Sequence, residues 1–141
     1  MSLVWREQLS VGNDAIDADH KRLIEIINMV EPSLGTGNRR TLSVALTKLS
    51  QYSQEHFVRE ERIAAAAGYP QVPQMHQSHE ALNHELDKIR HEIGQTGDEW
   101  PAARIEHFTK LLRDWLLQHV IHEDLLMKPT LQKLPPAFTA K

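Results

Sequence analysis

The sequence contains no cysteine, which excludes disulfide bonds, thiolate metal ligands and a cysteine nucleophile, and leaves the cellular compartment open. It has no apolar run near the roughly 20 residues that a transmembrane helix requires. Its start has no basic segment followed by an apolar run, so it lacks the pattern of a secretory signal. We therefore expect a cytoplasmic protein without a membrane span.

The charge of the chain is also unremarkable in size. Lys and Arg number 16 against 19 Asp and Glu, which gives a net charge of −3. Such a balance indicates neither a nucleic-acid partner nor a basic membrane-binding patch. A chain of 141 residues fits a single domain over 1–141 and is long enough to bury a core. The unusual number in the composition is nine histidines.

Apolar residues recur at helical spacing in four segments, and no segment shows the alternation of a strand. Pro32 predicts the end of the first helix, Gly68 ends the second, and Pro101 opens the fourth. The fold class we predict is all-α, an up-down-up-down four-helix bundle with an N-terminal arm. The predicted bounds are an arm over 1–16, helices at about 17–31, 39–67, 73–94 and 101–127, and a tail over 128–141.

The second helix carries a histidine and a glutamate on its buried side. His56 and Glu60 are four residues apart, so they share a helix face, and both lie on the apolar stripe of that helix. A carboxylate buried without a partner costs far more than a small domain tolerates. The inner stripes supply no Lys or Arg for Glu60, but every predicted helix supplies one inward histidine. These histidines are His20, His56, His79 and His119.

One buried histidine is more often an ordinary core residue than a ligand, but four of them with Glu60 indicate a metal site. Imidazole and carboxylate ligands suit iron, manganese or zinc. Zinc needs only four ligands, whereas a larger set indicates two metals bridged by carboxylates. We interpret His84, His91 and His107 as surface residues, and we do not expect His122 to be a ligand.

Together these motifs resemble the single-domain bacterial hemerythrins, the bacteriohemerythrins of the HHE family. The matching segments span nearly the whole chain in the family's order. They are Trp5, Val11–Gly12, Ile16–His20, His56–Glu61, Gly68–Pro70, the histidines that follow, Trp115–His119 and Asp124. The resemblance implies a four-helix bundle with two non-haem iron ions and a bridging oxo or hydroxo group. It also implies that Glu60 and Asp124 bridge the irons and that the protein binds dioxygen reversibly.

The resemblance also implies a role for each remaining site residue. His20 and His56 would bind the iron that keeps an open position for dioxygen. His79, His119 and one more histidine of the third helix would bind the other iron. Trp115 and Leu116 match the apolar residues of the ligand pocket, where they would exclude water.

The chain departs from the family pattern in the third helix. The family has two histidines four residues apart there, but Met75 occupies the place of the first and His79 that of the second. A thioether is a poor ligand for oxygen-ligated iron. We therefore predict that His76, one residue late, is the remaining ligand; the alternative is a water molecule at that position.

The fourth helix poses a second difficulty. His119 and Asp124 are five residues apart, and five residues turn a helix by about 140° beyond a full turn. Geometry alone would therefore choose Glu123, whereas the resemblance implies Asp124. We follow the resemblance, which requires a bulge in this helix or ligands that reach from both flanks.

Three classes of function follow from such a site. The first is dioxygen carriage, storage, delivery or sensing without net chemistry. The second is a di-iron redox enzyme or a protein that handles nitric oxide or peroxide, and the third is an iron store or sensor. Such a protein would bind dioxygen and could require an electron donor or an oxygen-consuming partner. We favour binding over catalysis because the pocket predicted around His20, His56 and Trp115 has no obvious spare acid.

Overall fold

A computed structural model describes residues 3–36, 39–95 and 101–140, except for the side chain of His119. Four long helices account for most of these residues. They are α1 (Asp14–Thr36), α2 (Arg39–Ala67), α3 (Val72–Gln95) and α4 (Ala102–Asp114).

Each of these helices contacts the next one along the chain, and α1 also contacts α4, so the four helices close into a bundle. Within the described ranges there is no strand. The prediction of an all-α four-helix bundle is therefore confirmed. In the same ranges, no helix combines the length and the apolarity that crossing a membrane requires.

The interior of the bundle contains two apolar clusters. The larger cluster fills the space between all four helices and includes Leu49, Leu86 and Leu112. The smaller cluster lies at the other end, where Ile16 and Ile63 pack with residues that follow α4. Burial of this kind contributes roughly 25 cal/mol for each Å² of apolar surface removed from water, so it supplies the main stabilisation of the bundle.

Helix α1 is longer at both ends than predicted. The side chain of Asn13 accepts a hydrogen bond from the Ile16 N–H at 3.1 Å and caps the start of the helix. At the other end the helix continues through Pro32 to Thr36, so the predicted end before Pro32 is wrong. A proline inside a helix costs about 3 kcal/mol. Val30 and Leu34, both fully buried beside Pro32, provide packing that offsets this cost.

Helix α2 ends as predicted, because Gly68 follows it with a φ of 80°. Glycine adopts this left-handed conformation without steric cost. The Tyr69 N–H then donates to the Ala64 carbonyl at 2.9 Å and closes the end of the helix.

The fourth helical segment is longer and less regular than predicted. After α4 the chain forms a π-helical stretch over Trp115–Ile121 and a short α-helical turn over His122–Asp124. A 3₁₀ turn over Leu125–Met127 and another short helix over Lys128–Leu131 follow. The helical path therefore continues past the predicted boundary at residue 127.

The described part of the N-terminal arm packs across the bundle. Leu3 and the side chain of Asn28 exchange two hydrogen bonds of 2.9 Å, and Trp5 and Leu9 pack against the larger cluster. The side-chain amide of Asn13 donates to the Phe138 carbonyl at 2.8 Å, which joins the arm to the C-terminal tail.

Candidate metal centre

Four potential metal ligands meet in the interior of the bundle. His20 comes from α1, His56 and Glu60 from α2, and Asp124 from the turn after the π-helical stretch. One ligand atom of each residue lies within 4.8 Å of the ligand atoms of the others. The first three residues are 0% exposed and Asp124 is 2% exposed, so the cluster is shielded from solvent.

The atoms of this cluster converge, but hydrogen bonds pair only some of them. His20 Nε2 lies 2.6 Å from Asp124 Oδ2, and His56 Nε2 lies 2.8 Å from Glu60 Oε2. The second pair is close enough for an ion pair but lacks the geometry of a hydrogen bond. His56 Nε2 and Glu60 Oε2 therefore have no hydrogen-bond partner among the described residues, and His20 Nδ1, the other nitrogen of that ring, has none either. Buried polar atoms normally have such a partner, so atoms like these point to a bound group.

The charges of the cluster attract a cation. Burial by itself raises the pKa of Glu60, but the charge of His56 and hydrogen bonds within the cluster outweigh burial and lower it. Burial and the negative charge of Glu60 raise the pKa of Asp124 to about 6. Burial lowers the pKa of His56, but the charge of Glu60, the nearby carboxylate of Asp124 and the hydrogen bond to Asp19 raise it well above its usual value. The interior thus favours positive charge where these side chains meet.

Asp19 contacts the side of the His56 ring that is remote from the cluster. Its Oδ2 lies 3.0 Å from His56 Nδ1, and Arg59 and Tyr52 also donate to its carboxylate. Burial alone would raise the pKa of Asp19, but these hydrogen bonds lower it, so this carboxyl group is charged at neutral pH. A charged Asp19 keeps the proton of His56 on Nδ1, which leaves Nε2 free to bind a metal.

Glu61 makes the corresponding contact with His79. Its Oε2 lies 2.9 Å from His79 Nδ1, while His79 Nε2 lies 3.2 Å from Glu60 Oε1. His79 is 3% exposed, so it belongs to the buried site although it lies beside the tight cluster of four. Burial lowers the pKa of His79, but its hydrogen bond to Glu60 and the neighbouring carboxylates raise it.

His76 does not face this site. Its ring is largely exposed, and its two nitrogens lie 2.6 Å from Glu61 Oε1 and 3.1 Å from Glu80 Oε1. The hydrogen bond to Glu61 and the negative charge of Glu61 raise the pKa of His76. The structure thus places His76 on the polar flank of α3, away from the cluster, and we do not retain it among the proposed ligands. Met75 is partly buried and packs against the smaller apolar cluster.

The π-helical stretch accounts for the choice between Glu123 and Asp124. A π turn is closed by hydrogen bonds between residues five apart, and it therefore inserts one extra residue into the helix. Asp124 is buried in the cluster, whereas Glu123 is exposed and bonds to Ser78. Of the two arrangements considered from the sequence, a bulge or ligands that reach from both flanks, the structure has the bulge. His119 belongs to the π-helical stretch, but its side chain is outside the described part of the structure, so its role as a ligand stays a prediction.

The two predicted pocket residues lie in the core of the bundle. Trp115 and Leu116 are both 0% exposed and belong to the larger apolar cluster. The indole of Trp115 donates to the Leu82 carbonyl at 3.0 Å, which fixes the orientation of the ring. Both residues begin the π-helical stretch that precedes Asp124.

Two carboxylates, Asp19 and Glu61, contact the Nδ1 atoms of His56 and His79 and were not identified from the sequence. Asp19 directly precedes His20 and Glu61 directly follows Glu60, so both were next to predicted ligands. The side chain of Glu61 in particular is only 20% exposed and contacts both His76 and His79. The neighbouring predicted ligands were the only signal in the sequence that could have found them.

A four-helix bundle with a buried cluster of histidine and carboxylate side chains defines a metal-binding protein. Comparison with known families makes this more specific, because the model of the hemerythrin HHE cation-binding domain matches residues 11–131. The chain belongs to the hemerythrin family.

Individual relatives agree with this assignment. A bacteriohemerythrin of Stenotrophomonas maltophilia is 27% identical over 122 residues, which are 86% of this chain and 76% of the relative. A bacteriohemerythrin of Clostridium acetobutylicum is 22% identical over 86% of this chain and 95% of its own length. A solved structure described as a crystal structure of a leucine-to-phenylalanine mutant has a TM-score of 0.77 at 23% identity. It covers 93% of this chain and 98% of its own, which supports the fold.

Proposed function

We propose that the chain is a di-iron protein that binds dioxygen reversibly. The observation that carries this proposal is the buried cluster of His20, His56, Glu60 and Asp124, in which His56 Nε2 and Glu60 Oε2 converge without a hydrogen-bond partner. Nitrogen and oxygen ligands without thiolates suit iron, and membership of the hemerythrin family with bacteriohemerythrin relatives supports the choice of iron. The proposed ligands are His20, His56, Glu60, His79, His119 and Asp124.

The placement of Glu60 supports two metal positions instead of one. Its Oε2 lies 2.8 Å from His56 Nε2, while its Oε1 lies 3.2 Å from His79 Nε2. The two carboxylate oxygens of Glu60 therefore face histidines of two different helices, His56 of α2 and His79 of α3. Asp124 Oδ2 lies close to both His20 and His56, at 2.6 and 3.5 Å. A carboxylate whose oxygens face different imidazoles is suited to bridge two metal ions.

The surrounding residues orient the ligands and exclude water. Asp19 and Glu61 hold the Nδ1 sides of His56 and His79, so that the Nε2 atoms point into the site. Trp115 and Leu116 supply buried apolar surface next to the helix turn that carries the site. When bound, the two irons and their oxo or hydroxo bridge would supply the redox chemistry that reversible dioxygen binding requires.

Binding without turnover is supported by the pairing of the nearby acids. Consider the carboxyl groups that the structure describes around the cluster. Two of them, Glu60 and Asp124, are themselves proposed ligands. Asp19 is bonded to His56, Arg59 and Tyr52, and Glu61 is bonded to two histidines. None of these carboxyl groups is left over as a proton donor for a reaction. We therefore propose a binding protein in the cytoplasm instead of an enzyme.

Metal analysis of matched variants tests the proposed site. Wild-type protein should contain two irons per chain, and Glu60→Ala should lose most of this iron because it removes both bridging oxygens. Glu55→Ala, which changes an exposed glutamate of the same helix, is the control and should retain the iron. A wild-type chain with a single metal ion, or equal iron content in the two variants, would contradict the proposal.

A further inference from the structure

A small cleft leads from the surface to the side of the metal centre where α3 and the segment after α4 meet. Its volume is about 90 Å³. The lining includes Tyr69, Met75, Ser78, His79, Glu123 and Asp124. Two of these residues, His79 and Asp124, are proposed ligands, so the cleft reaches the site itself.

The cleft has a polar entrance and an inner wall that carries ligand atoms. At the entrance, the Ser78 hydroxyl donates to the Glu123 carboxylate, and the Tyr69 hydroxyl donates to Gln71 at 3.5 Å. On the inner wall, the Nδ1 side of His79 is held by Glu61, so the ring cannot turn away from the site. Met75 is a partly buried residue of the lining and offers only a thioether, which is a poor ligand for iron.

The metal position on this side of Glu60 has few protein ligands. Among the described residues these are His79, Glu60 and Asp124, and His119 is the further histidine assigned from the sequence. Sets of two histidines with carboxylates are typical of iron sites that keep open positions. His76, the other histidine of this part of α3, is bound at the surface by Glu61 and Glu80. An open position would therefore face the cleft.

Size and charge define what the cleft can admit. A water molecule occupies about 30 Å³ in the liquid, so the cleft has room for only a few molecules of that size. The charged Glu123 at the entrance disfavours anions. The class of ligand is therefore a neutral polar molecule of about the size of water, with water itself as the resting occupant.

We propose that this cleft is a small-molecule entrance to the metal centre that opens onto a coordination position beside His79, at the place where Met75 supplies no ligand. Trp115 and Leu116, the pocket residues that the family resemblance implies, do not line this cleft. This inference rests on the proposed di-iron function, since it assigns the ligand of one of the two metals.

The first test examines the cleft in metal-free protein. Because the chain has no cysteine, a single Met75→Cys substitution provides one thiol in the lining of the cleft. A methanethiosulfonate reagent with a methyl group should modify this thiol, while a reagent with a bulky aromatic group should react far more slowly. Val58→Cys, at a residue that is 50% exposed on α2, should react with both reagents. A Met75→Cys thiol that reacts with neither reagent, or equally fast with both, would overturn the proposed entrance.

A second substitution that fills the entrance of the cleft makes the first test more specific. Leu126 is 61% exposed and lines the outer part of the cleft, so Leu126→Trp should fill the entrance without burying a new side chain. In the Met75→Cys background, Leu126→Trp should slow the reaction of the thiol with the methyl reagent to the rate of its reaction with the bulky aromatic reagent. Val58→Trp in the same background should leave the rate unchanged. Equal rates in both double variants would overturn the assignment of this route.

The second test examines the coordination position in iron-loaded protein with nitric oxide as the probe. Met75→His would place an imidazole at the open position, so this variant should bind one nitric oxide fewer per chain than wild type and hold its iron more tightly. Val58→His adds the same side chain at the surface and should match wild type. Unchanged nitric oxide stoichiometry and iron affinity in fully loaded Met75→His would overturn the inference. Failure of the wild-type chain to bind two irons would instead contradict the di-iron function, while the thiol measurements would still decide whether the entrance exists.

Discussion

At the scale of single residues, two carboxylates decide how the histidines present themselves to the metal. Asp19 and Glu61 contact the Nδ1 atoms of His56 and His79, at 3.0 and 2.9 Å. A histidine in solution distributes its proton over both nitrogens, whereas these contacts place the proton on the side remote from the site. The ligand atoms are thereby set before any metal binds.

Removing the charge of Asp19 should therefore weaken metal binding without removing a ligand. We expect Asp19→Asn to lower iron affinity by about 10- to 100-fold, as is typical for residues that orient metal ligands. Competition with a chelator of known affinity measures this change. Asp87→Asn, at an exposed aspartate paired with Arg90, is the control and should behave as wild type. Equal affinities in the two variants would show that Asp19 does not orient His56.

Asp19 should also make the stability of the metal-free protein depend on pH. Hydrogen bonds lower the pKa of Asp19 in the folded chain below its ordinary value of 3.8. The unfolded chain therefore binds this proton more tightly, and the stabilisation by Asp19 is present above pH 3.8 and is lost as the pH falls towards the folded pKa. Urea unfolding of wild type and Asp19→Asn should show a difference in unfolding free energy that shrinks as the pH falls below about 4. A difference that grows over this range would contradict the assignment.

Glu61 should matter for metal binding as well, although it is not a proposed ligand. Glu61→Gln should lower iron affinity because the amide no longer fixes the proton of His79 by charge. Glu80→Gln tests the alternative that loss of any carboxylate near His76 has this effect, since Glu80 contacts only His76 in this network. Chelator competition should show weaker iron binding in Glu61→Gln alone. The opposite order of the two variants would mean that Glu61 has no orienting role.

At the scale of secondary structure, the π-helical stretch over Trp115–Ile121 decides which acid enters the site. A regular α-helix advances by about 100° per residue, so one extra residue in a wide turn changes the face on which every later side chain lies. This change brings Asp124 into the interior and leaves Glu123 at the surface. Such π turns are frequent at functional sites, and here the wide turn is what completes the cluster.

Deleting one residue of the wide turn tests this role. Gln118 is an exposed residue of the stretch, and its removal should allow a regular helix to form. Asp124 would then rotate by about 100° out of the cluster. We expect the deletion to retain its helical circular dichroism and to lose iron, while Gln118→Ala retains both. Full iron content in the deletion variant would contradict the proposed role of the wide turn.

Helices and turns differ in how well the sequence predicts them. The four helices followed from the spacing of their apolar residues, and Gly68 marked one end correctly. The helix end predicted from Pro32 was wrong because buried side chains on both sides of this proline keep the helix intact. Their packing energy depends on the tertiary structure, which the local sequence does not show. The bulge near Asp124 was expected only because the family resemblance chose this acid over Glu123. Local periodicity alone cannot show a π turn.

At the scale of the whole molecule, the bundle places a polar site between apolar clusters. His20, His56, Glu60 and Asp124 come from distant parts of the chain and are brought together by the same packing that buries the larger cluster. The inward positions of His20, His56 and His79 could be predicted because each of these residues lies on an apolar stripe. The exposed position of His76 could not, because it depends on the ion pairs that Glu61 and Glu80 form with it across and along the helices.

The most direct measurement of the central claim is a visible absorption spectrum taken through a cycle of oxygen addition and removal. Iron-loaded protein is reduced without oxygen, exposed to oxygen, and then placed under vacuum. Reversible binding at a di-iron site predicts a charge-transfer band that appears with oxygen, disappears under vacuum and returns on a second exposure with the same intensity. A band that bleaches irreversibly, turnover of oxygen with added reductant, or a spectrum that does not respond to oxygen would contradict the account.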